Sequence, residues 1–396
     1  MSFDELAALD AAHVMQTYAR QPVAFVRGEG VRLWDSEGRE YLDFLGGLAV
    51  TSLGHAHPEV ADALAEQART LLHVSNLYYN DVQPKLAAEL DGLLGGGGRV
   101  FFSNSGAEAN ECAIKLARRY GQKHGIPHTY HVVSALNSFH GRTLTTLAAT
   151  GQPVKQAAFQ PMPPGFWQVP YGDISALEEQ AERFEGKLAA VLLEAVQGEG
   201  GVWPAPPGYL QAVRELCDRA GALLVIDEVQ TGLGRTGKWF AFEHFGIRPD
   251  IVTMAKALGN GVPIGACWAT AEVAAGFDPG DHATTFGGQP LVARAALTTI
   301  QIMQRENVPE KAARAGARLA SGLRATPGVS DVRGLGLLLA AELVPGLDSK
   351  AVAAACLEQG LVVNAVTPSA LRFEPSLLVT DDEIDEALAI VGKALS

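Results

Sequence analysis

Apolar positions follow three successive patterns along the chain. Across residues 23–44, short alternating runs are broken by the turn-forming stretches 28–30 and 35–38, which predicts a small antiparallel meander. From about residue 58 the spacing becomes helical, as in ADALAEQARTLL and ANECAIKLARRYG. These stretches are interleaved with short continuous apolar runs: RVFF, YHVV, LAAVLLEAV, ALLVIDE and DIVTMA. Continuous runs mark strands buried on both faces, so this stretch predicts βαβ units around a mostly parallel sheet covered by helices. After about residue 290 helices dominate; then GLGLLLAAEL, LVVNAV and LRFEP read as strands and DDEIDEALAIVGKAL as a closing helix. The expected fold class is α/β. A large domain would span residues 51–288, and a smaller α+β domain would be assembled from both chain ends, residues 1–50 and 289–396. Residues 95–98, all glycine, read as a loop between a helix and a strand.

Composition narrows the partners more than the fold. Hydrophobic residues make up 47% of the 396 positions and charged residues 19%, as in a compact chain. The net charge of −13 disfavours nucleic acid and anionic membrane surfaces, so an anionic substrate needs locally placed arginines. MSFDELAALDAAHVM carries early acids and no apolar core, unlike a signal peptide, and no stretch reaches membrane-span length. The expected location is cytoplasmic. Cys112, Cys217, Cys267 and Cys356 lie far apart, which points to reduced, buried thiols rather than a metal knuckle or disulfide framework.

Several segments carry residues suited to chemistry. Asp227 and Glu228 end the run ALLVIDE at the carboxyl edge of the predicted sheet, where open α/β sheets bind ligands, although a solvated strand end has the same pattern. The adjoining GLGRTGK imitates both a dinucleotide fingerprint and a P-loop. No amphipathic helix follows it and Trp239 stands where a P-loop needs Ser or Thr, so it reads as a glycine-rich turn. Lys256 follows the apolar run DIVTMA; an amine held in such surroundings becomes available for Schiff-base chemistry, the alternative being a snorkelling surface lysine. Ser105 and Glu108 form an S-x-x-E capping box, and the same helix start, Ser105-Gly106-Ala107, offers free N–H groups to a phosphate. Phe139 and Arg142 bracket His140-Gly141 after the YHVV strand, where Arg142 could clamp a carboxylate or stay solvated. His55 and His57 lack a nearby third ligand and read as loop residues before a helix beginning at Pro58; no metal site is expected.

The segments LGHAHPEV, FFSNSGAEANE, FHGRT, EAVQGEGG, IDEVQTGLGRTG, MAKALGNG, TTFGGQP and LRFEPSL occur in the order seen in class III (ω-) aminotransferases, and the chain resembles that family over nearly its whole length. Within it, GGLAVTSLGHAHPEV, NSGAEANE and FHGRT are most similar to the acetylornithine aminotransferases. The resemblance implies fold type I with a seven-stranded sheet, pyridoxal phosphate as cofactor and a homodimer with shared sites. It further implies that Lys256 holds the cofactor and moves a proton, that Asp227 pairs with the pyridine nitrogen, that Gln230 bonds the 3′ oxygen and that Phe139 lies against the ring. Ser105, Gly106 and Ala107 would cradle the phosphate, with Thr285 reaching it from the neighbouring subunit.

For substrates, the resemblance implies that Arg142 holds the remote carboxylate of the donor, that Arg372 binds the α-carboxylate of glutamate or 2-oxoglutarate, and that Glu199 pairs with Arg372 when the donor places no carboxylate there. The implied reaction is ping-pong: N2-acetylornithine plus 2-oxoglutarate gives N-acetylglutamate 5-semialdehyde plus glutamate, as in arginine biosynthesis. N-succinyl-diaminopimelate, carrier-linked lysine semialdehyde and ornithine are alternative amine substrates, Tyr18 keeping ornithine open; a non-enzymatic phosphometabolite-binding protein is the rival from another class. Asn260 and Gln289 depart from the residues relatives often carry, without touching a group assigned to chemistry.

Overall fold

The computed structural model describes residues 1–124 and 129–396. Its centre is a seven-stranded sheet in the order Gly98–Ser103, Gly265–Thr270, Ile251–Met254, Leu223–Asp227, Leu188–Glu194, His131–Ala135, Phe166–Val169. The last five of these run parallel, while Gly265–Thr270 lies antiparallel to both its neighbours. Leu223–Asp227 is buried at every position, and its alternate residues feed two cores. Leu223 and Val225 join the cluster under the helix Gly106–Lys123, and Leu224 and Ile226 join the larger cluster on the opposite face. This double burial is the physical origin of the continuous apolar runs. It also places Asp227 at the strand end, where the site forms.

The N-terminal strands Phe25–Glu29, Arg32–Asp35 and Glu40–Asp43 form the expected antiparallel meander, and Leu361–Val362 adds to its edge in parallel register with Leu42 and Asp43. The run LVVNAV is therefore not one strand. Leu361–Val362 belongs to the meander, whereas Asn364–Thr367 pairs with Ala370–Phe373 in a separate antiparallel sheet with Val329–Leu335 and Leu338–Leu343. A run of apolar letters does not record that the chain changes sheets at Val363. Gly98 opens the first strand of the central sheet rather than ending the loop before it.

The GLGRTG turn is structural. Arg235, 1% exposed, donates to the carbonyls of Leu337 at 3.1 Å and Pro375 at 2.6 Å and to Ser52 Oγ at 3.2 Å, tying distant parts of the chain together. Burial pulls its guanidinium down to about 10, with Glu374 pulling the other way. Gly336, at φ 55°, lies so close to this turn that a Cβ would meet the Thr236 carbonyl carbon at 2.5 Å, so the approach requires glycine. Arg235→Ala orphans two buried carbonyls, and we expect a loss of about 3 kcal/mol of stability, read as a lowered midpoint in urea at unchanged slope.

Candidate active site

Three strand ends meet at the carboxyl edge of the central sheet. Asp227 stands in register with Glu194 on one side and Thr253 on the other, and Lys256 follows just beyond the Ile251–Met254 strand. No α-helix intervenes between Asp227 and Lys256. Glycine-rich turns and the 3-10 helix Ala241–Phe245 lead from Asp227 to the Ile251–Met254 strand. Around these residues opens a cavity of about 380 Å³ lined by residues 104–107 and 139–142 together with Glu194, Glu199, Asp227, Gln230 and Lys256.

Lys256 opens a one-turn 3-10 helix with φ 41°, a left-handed conformation unusual for a side-chain-bearing residue and one that persists only where its surroundings enforce it. Burial lowers its ammonium below the ordinary value, while Glu374, Glu199 and Asp227 oppose that shift. A lysine so placed gives up its proton more readily than one in water, which suits it to Schiff-base chemistry.

Asp227 is held by a web that sequence spacing did not disclose. Its Oδ2 accepts from Asn110 Nδ2 at 2.7 Å and lies 2.9 Å from His140 Nδ1, while Oδ1 accepts from the backbone N–H of Val229. Asn110 is itself fixed, accepting from Thr253 Oγ1 and donating to the His140 carbonyl. These contacts orient the carboxylate, as neighbouring hydrogen bonds orient the reacting groups of active sites generally. Both Asn110 and His140 stand inside segments singled out above, NSGAEANE and FHGRT; a polar residue in an otherwise apolar buried surround was the available signal. Glu194 was also missed: burial pushes it up to about 7, with Asp227 adding to the shift, and it accepts from the N–H groups of Phe139 and Gly198.

At the other end of the cavity the helix Gly106–Lys123 begins. Ser105 Oγ caps it by accepting from Glu108 N, but Glu108 turns to the N–H of Asn104 at 2.6 Å instead of that of Ser105, so only half the expected capping box forms. Gly106 and Ala107 occupy the first turn, where N–H groups have no intrahelical acceptor and point toward an anion. A Cβ on Gly106 would lie 2.7 Å from Val229, so glycine lets the helix start approach the loop after Asp227.

Arg372, 1% exposed, places Nη1 2.9 Å from Glu199 Oε1 and Nε 3.2 Å from Glu374 Oε2. Arg142 is exposed at the cavity mouth, its guanidinium carbon 5.5 Å from the centre of the Phe139 ring. Two expected site residues lie elsewhere in this chain. Thr285 is exposed and lines a separate cleft of about 770 Å³ with Asn76 and His282, and Tyr18 is 73% exposed in the N-terminal segment with Arg20 over its ring. His55 bonds Asp43 at 2.7 Å, His57 precedes the helix Pro58–Thr70, and among the described residues no group of His, Cys, Asp and Glu is arranged to hold a metal. All four cysteines are free and buried.

Residues 14–395 match the family model for aminotransferase class-III. The chain belongs to the class-III aminotransferases. Among its relatives are the acetylornithine aminotransferase of Gloeobacter violaceus, 51% identical over 385 residues that span 96% of this chain and 94% of that protein, and that of Caldanaerobacter subterraneus subsp. tengcongensis, 47% identical over 97% of each chain. A solved structure of the ornithine aminotransferase from Toxoplasma gondii, with pyridoxal phosphate partially occupying its active site, superposes with a TM-score of 0.94 at 36% identity, covering 100% of this chain and 94% of that one. Class-III aminotransferases use pyridoxal phosphate. The cavity of this class-III aminotransferase fits that group: a helix start suited to an anion, a fixed carboxylate, a lysine on the cavity wall, and Gln230 Nε2, a buried donor without a partner among the described residues.

Next to this site Glu228 is fully buried and is pushed up to about 7, chiefly by burial and partly by Asp227, although it accepts from Thr231 and from Phe242 N. Its folded value lies above the ordinary one, so its contribution to stability is greatest in acid and is lost as pH rises through the window up to about 7. We expect Glu228→Gln to flatten the decline in melting temperature between about pH 5 and about pH 8 and to gain most at the alkaline end. Parallel wild-type and variant profiles would remove Glu228 as the source.

Proposed function

We propose that this aminotransferase converts N2-acetylornithine and 2-oxoglutarate into N-acetylglutamate 5-semialdehyde and glutamate by a ping-pong reaction. The observation that carries the proposal is the Arg372–Glu199 pair: a buried guanidinium whose exposed side is covered by a carboxylate only partly withdrawn from solvent, at 30% side-chain exposure. Burial would raise Glu199, but Arg372, Lys256 and Lys155 outweigh it and hold the group below its ordinary value, so it is an ion at neutral pH. With Glu199 in place, the site accepts a donor that presents only its terminal amine and methylenes to this region. With Glu199 displaced, Arg372 is free to take a substrate carboxylate bidentately. Arg142 at the mouth suits the donor's remote carboxylate, and the names of the relatives support the acetylated donor.

Bound pyridoxal phosphate supplies an electron sink for the carbon that loses its proton. Lys256 would anchor it and, when freed by the incoming amine, carry that proton between the substrate carbon and the cofactor; Asp227, steadied by Asn110 and His140, would keep the pyridine nitrogen protonated. Gln230 would meet the 3′ oxygen, Phe139 would cover one ring face and exclude water, and Ser105, Gly106 and Ala107 would receive the phosphate. A homodimer is part of the proposal: Leu72, Leu77, Tyr78, Tyr79 and Phe286 are large apolar side chains left exposed, and Thr285 stands beside the last of them, which suits a residue completing a neighbour's phosphate site. Residues 1–50 and 289–396 would then form a small domain against the core of residues 51–288. A cytoplasmic location suits the four unpaired cysteines. No helix among the described residues is long and apolar enough to cross a membrane.

The test is a spectrum of the holoenzyme before and after N-acetylornithine is added without keto acid. Loss of the cofactor's visible band, with one equivalent of semialdehyde formed, is the expected result. Faster bleaching by ornithine or N-succinyl-diaminopimelate would overturn the choice of donor. Tyr18 does not line its own chain's cavity, which lends the ornithine alternative no support.

A further inference from the structure

Glu374 is a carboxylate with no exposure, and neither of its oxygens receives a hydrogen bond among the described residues. Leaving a charged acid buried this way is costly unless neighbouring cations neutralise it. It lies 3.2 Å from Arg372 Nε, yet the hydrogen on that nitrogen goes to Asn364 Oδ1, so the two groups are joined by charge alone. The same carboxylate is the foremost charge opposing the burial effect on Arg235 and on Lys256. For Arg372, burial pulls downward, while Glu374 and then Glu199 outweigh it and leave the group raised.

Arg372 thus has two counter-ions of different kinds. Glu199 lines the cavity and is partly exposed; Glu374 is fully buried, just past the end of the strand Ala370–Phe373 that carries Arg372. We propose that Glu374 is the standing counter-ion of the carboxylate site: it keeps Arg372 paired while Glu199 swings aside, and so limits how tightly the arginine grips a dicarboxylate substrate. This rests on the reading of Arg372 as the 2-oxoglutarate and glutamate site. Without Glu374, each displacement of Glu199 would leave a lone guanidinium in a buried place, and the incoming carboxylate would be held too firmly to leave. As Glu374 acts through Arg372 and Lys256, it is a positioning residue.

The test uses holoenzyme and the unreactive dicarboxylate glutarate. In a Glu199→Gln background, Arg372 keeps only Glu374, so adding Glu374→Gln should tighten glutarate binding in calorimetry by about tenfold, as removal of one nearby negative charge predicts. Glu374→Asp in that background should return the affinity toward that of Glu199→Gln alone. The second readout needs no substrate. Lys256 lies in the field of Glu374, Arg372, Glu199 and Asp227, so losing the first of these in Glu374→Gln alone should move the pH titration of the bound cofactor's visible band to lower pH. It also covers the case in which the double variant does not fold. Measurable glutarate binding that is unchanged or weakened by Glu374→Gln, or an unmoved titration, would overturn the proposal. Absence of glutarate binding in every variant, with the titration still shifted, would overturn the two-substrate reading of Arg372 while supporting the charge role of Glu374.

Discussion

Lys256→Ala should abolish transamination, with turnover down by roughly 10³-fold or more, because under the proposed function the variant loses the amine that would anchor the cofactor and move the substrate proton. Lys256 heads a tight turn at positive φ within reach of the charges of Glu374, Arg372, Glu199 and Asp227, and among the described residues no second lysine lines the cavity. The measurement is single-turnover conversion of N-acetylornithine by variant reconstituted with pyridoxal phosphate, beside borohydride reduction of wild-type holoenzyme. Reduction should fix the cofactor to the peptide carrying Lys256 and leave the variant unlabelled. Label on another lysine would move the catalytic role elsewhere.

Asp227→Asn should have the next largest effect, lowering turnover by about 10²–10³-fold while the fold persists, since the amide keeps the shape and loses the charge. The web around it explains why shape alone is insufficient. Asn110 Nδ2 and His140 Nδ1 both converge on Oδ2 and are best satisfied by a carboxylate oxygen, and Val229 N fixes the other. Steady-state turnover with a parallel circular-dichroism melt separates the two effects. Activity within tenfold of wild type would show that the carboxylate charge is not what the cofactor ring needs.

Much of this site was legible in the chain because parallel strands confine polar residues to their ends. Asp227 follows an unbroken apolar run and Lys256 one interrupted by Thr253, and that change in pattern marks the carboxyl edge of the sheet. Periodicity could not show which strand ends are neighbours, since lateral order depends on crossovers that leave no local trace. The registers of Asp227 with Glu194 and Thr253, and the convergence of Asn110 and His140 on Asp227, therefore emerged only in three dimensions. Glu374 was hidden differently. An acid between Phe373 and Pro375 carries no local sign of burial, and only the charges of Arg235 and Arg372 near it make its burial tolerable. The half-formed cap at Ser105 shows the converse, a correct local motif redirected when Asn104 offered Glu108 a nearer donor.

The parallel pairing of Leu361–Val362 with Leu42 and Asp43 has a consequence for biogenesis. The edge partner leaves the ribosome only after the long stretch between Asp43 and Leu361 has been made, on the order of half a minute after the meander at usual elongation rates. Throughout that interval the Glu40–Asp43 edge carries unsatisfied backbone donors and acceptors. A nascent chain in this condition is open to pairing with the same edge of a sibling on the same message. Stalling before residue 361 should therefore favour aggregation, and release past it should end the hazard.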